Sequence, residues 1–284
     1  MSSPEPQTPG RGARAAFEAA AASYDAHFEA GPGTPLLRLR VHELLRGLFP
    51  PGSRVLELNC GTGTDAIALA RGGVHVMATD GAPRMISLVR EKAYAEGLEA
   101  MISTQVLPLE RLEDLVGTRF DGIFSNLGGL NCLADIRPLL HPLALLLPPG
   151  APLALGLMGR FCLWETASSL ASGDVGRALR RLRGSFPARV AERHFTVFYH
   201  SPGELRRRLG DAFVHERTLG LNILTPPPTS DRARRRLGRL LPLLEEADRL
   251  LSGIRPFHAL GDHYVAVFRR TAAGASAGGL HPTA

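Results

Sequence analysis

Residues 55–66 read Val-Leu-Glu-Leu-Asn-Cys-Gly-Thr-Gly-Thr-Asp-Ala. The apolar run predicts a buried strand, Gly61 and Gly63 predict a tight loop, and the apolar periodicity continuing from Ala66 predicts a helix. A strand that turns through glycines into a helix lets a ligand approach the loop backbone closely, and the helix N-terminus favours polar or anionic groups there. Gly61, Gly63 and Ala66 satisfy the dinucleotide pattern G-x-G-x-x-G/A, and Asp80 stands at about the distance expected of a ribose-binding acid. Spacing alone therefore admits a dinucleotide. Glu57 argues against one: a fixed negative charge beside the loop opposes a pyrophosphate but suits a ligand with an ammonium, a sulfonium or ribose hydroxyls.

Three further stretches stand around this one. Val76-Met77-Ala78-Thr79-Asp80 ends a second apolar strand on an acid, and Phe120-Asp121-Gly122-Ile123-Phe124-Ser125-Asn126 ends another on polar residues. Upstream, residues 17–28 carry a Tyr24-Asp25 pair in a helical pattern. Taken in order with E-x-x-C-G-T-G at residues 57–63, these stretches resemble the motifs of class I SAM-dependent methyltransferases over residues 15–160, with weaker agreement to residue 270. The resemblance implies an α/β fold: a Rossmann-like, doubly wound, mostly parallel seven-stranded sheet with an antiparallel last strand. It also implies S-adenosyl-L-methionine (SAM) as cofactor.

Residue by residue, the resemblance gives Glu57 to the amino acid end of SAM and Asp80 to the ribose hydroxyls. Gly61 and Gly63 allow close backbone approach, and Asn59 replaces the family's first glycine with a residue that tolerates the left-handed region. Met85 would pack on the adenine or ribose. The run Gln105-Val106-Leu107-Pro108 lacks the acid that many relatives place there, which leaves the backbone of Val106 and Leu107 to meet the adenine edge. Ser125 and Asn126 would lie by the methionine moiety, and Tyr24 with His27 would close over the cofactor. Asp65 opens a helix, where the amide dipoles favour an acid whatever binds. Arg160, Trp164 and Glu165 follow strand five, where relatives shape an acceptor pocket. His194, His200, His258 and His263 offer candidate bases, but the sequence pairs none with an acid, and no catalytic residue is assigned.

With 284 residues and 44% hydrophobic content the chain can bury a substantial core. Residues 1–14 read as a disordered lead, residues 15–270 as the methyltransferase domain and residues 271–284 as a loose tail. Strands are expected near 54–58, 75–79, 101–106, 120–125 and 152–157, an edge strand at 192–199, and two last strands ending near 221 and at 263–268. Helical insertions near 160–185 and 230–254 are expected to form a lid over the acceptor. Cys60, Cys132 and Cys162 are odd in number and lack metal-ligand spacing, which predicts reduced thiols, a cytoplasmic location and no metal site. Prolines and Gly150 interrupt the longest apolar tract, so no membrane span is expected.

The net charge of +6 raises nucleic acid as a partner. Its arginines cluster at 177–183 and 232–239, interleaved with leucines, the pattern of solvated faces on amphipathic helices. No aromatic platform accompanies them, which argues against RNA. Asn126-Leu127-Gly128-Gly129 also differs from the D/N-P-P-Y/F signature for planar nitrogen acceptors. The expected activity is methyl transfer to a small-molecule acceptor enclosed by the lid. Two alternatives stay open: an RNA or protein methyltransferase docking through the arginine helices, and a non-catalytic SAM-binding protein. Oligomeric state is left open.

Overall fold

The computed structural model describes residues 10–29, 31, 33–228 and 230–272. Period-two alternation in the first strand, β1 (Arg54–Leu58), sends Val55 into one core and Leu56 and Leu58 into the other. The strands that follow are β2 (His75–Asp80), β3 (Ile102–Val106), β4 (Gly122–Ser125), β5 (Pro152–Met158), β6 (Ser185–Val190), β7 (Arg193–Phe198), β8 (Phe213–Leu221) and β9 (His263–Arg270). Seven form one sheet in the order β3-β2-β1-β4-β5-β9-β8. Strands β1 to β5 pair in parallel, and β9 runs antiparallel between β5 and β8. This is the doubly wound sheet with an antiparallel last strand that the sequence predicts.

The helices are α1 (Arg11–Ala20), α2 (Thr34–Leu48), α3 (Thr64–Ala70), α4 (Pro83–Ala95), α5 (Leu140–Leu146), α6 (Leu163–Ala171), α7 (Val175–Ala178), α8 (Pro202–Leu209), α9 (Asp231–Leu237) and α10 (Leu241–Leu251). Helices α2, α3 and α4 cover one face of the sheet through residues such as Val41, Ile67 and Val89. Helices α5 and α8 cover the other through Leu143, Leu146, Leu205 and Leu209. Helix α8 starts as its sequence predicts: Ser201 accepts a hydrogen bond from the Glu204 amide, and Pro202 occupies the first turn.

Three expectations need correction. Residues 11–14, assigned to the disordered lead, belong to α1, where Arg14 reaches Glu110 at 3.1 Å. The rest of the proposed lead, residues 1–9, lies outside the described residues, as does the tail beyond 272. The strand expected at an edge, β7, instead pairs with β6 in a separate two-stranded hairpin. Its partner escaped notice because Pro187 sits inside β6, and proline weakens a strand reading. The arginine clusters are also not wholly solvated, since each turns one side chain inward, Arg181 and Arg234. Arg234 spends its guanidinium on the Pro226 carbonyl at 3.1 Å and Glu245 at 3.0 Å.

Candidate functional site

Strand order reverses between β1 and β4, and open α/β sheets bind ligands at the carboxyl ends of their strands beside such a switch. A cavity of about 650 Å³ lies there. Its floor is the loop after β1. Asn59 adopts φ 53° and Gly61 φ 55°, both left-handed, so the departure from glycine at 59 is absorbed by the non-glycine type that best tolerates this region. At Gly63, φ is 80° and an added Cβ would stand 2.9 Å from both Val89 methyls. Glycine is needed there for the turn and for the close packing of α3 on α4.

Glu57 is 2% exposed, and its Oε2 is buried without a hydrogen-bond partner. Desolvation, reinforced by Asp65 and Asp80, pushes its carboxyl well above the usual range, although Arg38 and the Ala66 amide oppose this. Asp80 accepts hydrogen bonds from the Gly61 amide at 3.0 Å and the Ala82 amide at 2.8 Å. Burial still raises its pKa against those two bonds. Asp65 does not act as a simple helix acid. It accepts from Arg38 at 2.6 Å and Asn126 at 2.7 Å, and His42 Nε2 lies 2.7 Å away. These partners hold its carboxyl far below the usual range despite complete burial. Arg38 and His42 share one face of α2 at i,i+4 spacing, two basic side chains opposite an acidic helix start that sequence reading could have caught.

The Tyr24-Asp25 pair lies across this floor. Asp25 accepts from Thr62 Oγ1 at 2.6 Å and pairs with Lys92 at 2.7 Å, tying the segment to the glycine loop and to α4. Tyr24 lines the cavity between Phe17 and Phe28, with ring centroids 6.2 and 4.8 Å away. Met85 is fully buried beneath and also lines it. His27 is exposed and lies outside the cavity lining.

Three expected residues are placed differently. Val106 is 41% exposed and lies outside the cavity lining. Leu107 is buried in the core, and its amide donates to the Asp80 carbonyl at 2.8 Å. The wall after β3 is built by Pro108, Leu109 and Glu110 instead. Ser125 is enclosed within the sheet with an unpartnered Oγ, and the next residue, Asn126, takes the cavity position.

Helix α1, the β6–β7 hairpin and α6–α7 close the cavity over the strand ends. Phe17 of α1 meets Phe195 of β7 at 5.7 Å, and Trp164, Phe186 and Val197 continue the apolar wall. The α9–α10 insertion packs mainly along α2 and β8, and its segment reaches the cavity through Pro227 and Ser230. Asn131, fully buried, fastens the cover. It donates to the Met158 and Phe198 carbonyls at 3.1 and 2.6 Å and accepts from the Met158 amide at 2.8 Å. No sequence signal marked it.

Glu165 is at the wall as expected, whereas Arg160 lies outside the lining, 3.7 Å from Glu204. Cys162, Glu165 and Asp262 gather their ligand atoms within 4.8 Å, but the Arg181 guanidinium already joins both carboxylates. Burial pushes the Cys162 thiol up to about 12. Among the histidines, His200 is buried against the Leu133 carbonyl at 3.0 Å with its pKa lowered by desolvation. His194 and His258 lie outside the cavity lining, and among the described histidines only His263 belongs to it.

Residues 55–150 match the family model described as a methyltransferase domain. A ubiquinone biosynthesis O-methyltransferase of Xanthomonas axonopodis pv. citri is 30% identical over 133 residues, 46% of this chain and 54% of that protein. The 23S rRNA (uracil(1939)-C(5))-methyltransferase RlmD of Shewanella sp. is 44% identical over 59 residues, 20% of this chain and 13% of that protein. The chain thus spans between an eighth and about half of these curated relatives. Among solved structures, the CcbJ methyltransferase of Streptomyces caelestis superposes with a TM-score of 0.60 at 18% identity, covering 90% of this chain and 98% of that one. Its likeness is one of fold.

Proposed function

We propose, from a chain that carries the class I SAM-dependent methyltransferase fold and a methyltransferase domain over residues 55–150, that it transfers a methyl group to a small-molecule acceptor. The observation that carries the reading is Glu57: a buried carboxylate oxygen without a partner, at the floor of the same cavity that holds Asp80. A cationic ammonium would satisfy that oxygen, and a pyrophosphate would not. The residues therefore fit SAM, with Glu57 and the Asn59–Gly61 backbone toward the amino acid end, Asp80 toward the ribose hydroxyls, and Met85, Leu109 and Tyr24 around the apolar remainder. When bound, SAM supplies an electrophilic methyl group.

The rest of the cavity has to orient an acceptor and keep water out. Trp164, Phe186, Phe195 and Val197 form an apolar enclosure suited to a small organic molecule, and such positioning supplies much of the rate in a displacement reaction. No described helix is long and apolar enough to cross a membrane.

SAM at about 100-fold its Kd should stabilise the protein by about 2.7 kcal/mol, roughly 5–10 °C in Tm, and Asp80→Ala should remove most of that shift. Methyl transfer from labelled SAM to phenols, amines, carboxylates and RNA would then identify the acceptor class. Stabilisation by NAD and not SAM would overturn the cofactor. Salt-sensitive RNA binding with RNA methylation would replace the small acceptor by RNA, a partner class suggested by the rRNA methyltransferase likeness.

A further inference from the structure

Opposite the cofactor-facing floor, the cavity wall holds an ionic chain that cofactor binding does not use. Arg181 is buried and donates to Glu165 Oε2 at 2.9 Å and to the Asp262 carbonyl at 3.0 Å. It also binds the Asp262 carboxylate through Oδ1. Arg180 completes the neutralisation of Glu165. The second Asp262 oxygen, Oδ2, lies 2.9 Å from His263 Nδ1, a contact close enough for charge although bent away from the line of a good hydrogen bond. His263 opens β9 directly across from Met158, and both side chains line the cavity.

This geometry assigns the two ring nitrogens. An acid fixed beside Nδ1 favours the tautomer with its proton there, which leaves the Nε2 lone pair as the basic site. Nε2 has no hydrogen-bond partner among the described residues. The charged and titratable groups packed around the pair are Arg181, Glu165 and Cys162, with the Tyr199 ring 5.3 Å beneath the Arg181 guanidinium. An acid held in place by an arginine, with its second oxygen 2.9 Å from one nitrogen of an imidazole at the cavity wall, makes that imidazole a candidate proton acceptor. An amine arriving from solution in its neutral form needs no such device, whereas a hydroxyl does.

We infer that the acceptor is an aromatic or enolic hydroxyl compound and that His263 Nε2 takes its proton, an inference that rests on the methyltransferase reading above. The O–H bond breaks, its electron pair stays on oxygen, and the proton passes to Nε2. The imidazolium so formed is stabilised by the Asp262 carboxylate and later releases its proton to water. Asp262 and Arg181 are positioning residues, and His263 is the catalytic one.

The test uses 4-nitrocatechol, whose ionisation is visible by absorbance, added to the protein saturated with S-adenosylhomocysteine. Wild type should bind the probe as its phenolate, and the His263 C–H proton resonances should move downfield as the ring gains a proton. In His263→Gln and His263→Asn the bound phenolate fraction should fall at least tenfold. Turnover of hydroxyl acceptors should fall about 100-fold or more in kcat with KM within threefold, while the SAM-induced Tm shift is retained. Variants that ionise the probe as wild type does, or keep kcat within threefold, would overturn the base. Failure of wild type to bind the probe or any phenol, with methylation confined to amines, would overturn the hydroxyl class and leave the methyltransferase reading intact. Absence of both the SAM shift and all methyl transfer would instead sink that broader reading.

Discussion

At the scale of single residues, Glu57 is a buried acid with one oxygen that has no hydrogen-bond partner. Its folded pKa is raised above the usual 4.5, chiefly by desolvation. The sign follows: its contribution to stability is fully present below that usual value and is lost as pH rises through the folded value. Near neutral pH the buried acid therefore destabilises the empty protein, and a cationic ligand would reverse the penalty. Glu57→Gln should raise the Tm of the ligand-free protein by about 2–4 °C, the equivalent of about 1 kcal/mol, and weaken SAM binding about 10- to 100-fold. Calorimetry on both proteins checks the pair. A variant that loses Tm and keeps its affinity would mean that Glu57 ties the loop together and faces no ammonium.

At the scale of elements, the cover over the site hangs on Asn131, whose three hydrogen bonds join the turn after β4 to the end of β5 and to β7. Asn131→Ala would leave the Met158 amide and two carbonyls unsatisfied in a buried place. The expected cost is about 2–3 kcal/mol, roughly 5–10 °C in Tm, with the β6–β7 hairpin becoming the first site of limited proteolysis. A urea titration and a timed digest would measure both, and a wild-type digestion pattern would refute the fastening role. The same comparison explains what could be read in advance. Strands β1 to β5, the glycine loop, Glu57 and Asp80 were legible because each is written within a few residues and the parallel sheet brings strand ends to one edge. Asn131 and Asp262 were not, because their partners lie far away in sequence, 81 residues in the case of Arg181 and Asp262. Ser125 was misplaced by a single step, which exchanges a cavity position for the interior, whereas Val106 stands two residues before the wall that begins at Pro108.

At the scale of the molecule, Arg181 links elements that the chain visits at different times: α6 through Glu165, the end of β5 through the Gly159 carbonyl at 3.5 Å, and the approach to β9 through Asp262. It is the cation that allows two carboxylates to be buried at a wall of the cavity. Arg181→Met should therefore cost about 3–5 kcal/mol, because it takes from the buried Asp262 its arginine and from Glu165 one of two. The pH dependence separates this from a simple packing defect. In wild type the carboxyl of Asp262 lies far below the usual range, held down by His263 and Arg181 against desolvation, and that of Glu165 is lowered too. Their stabilising contribution is therefore present above the ordinary carboxylate pKa of about 4 and is lost as pH falls through the lower folded values. Without Arg181, His263 alone is left to hold the Asp262 carboxyl down against burial, so the variant should lose part of this pH-dependent stabilisation while wild type keeps it. Arg180 still neutralises Glu165, which centres the change on Asp262, and Asp262→Asn added to Arg181→Met should abolish what pH dependence remains there. Urea midpoints at several pH values decide the matter: parallel curves for wild type and Arg181→Met would show that the guanidinium fills space at this junction without setting the charge of the acids around it.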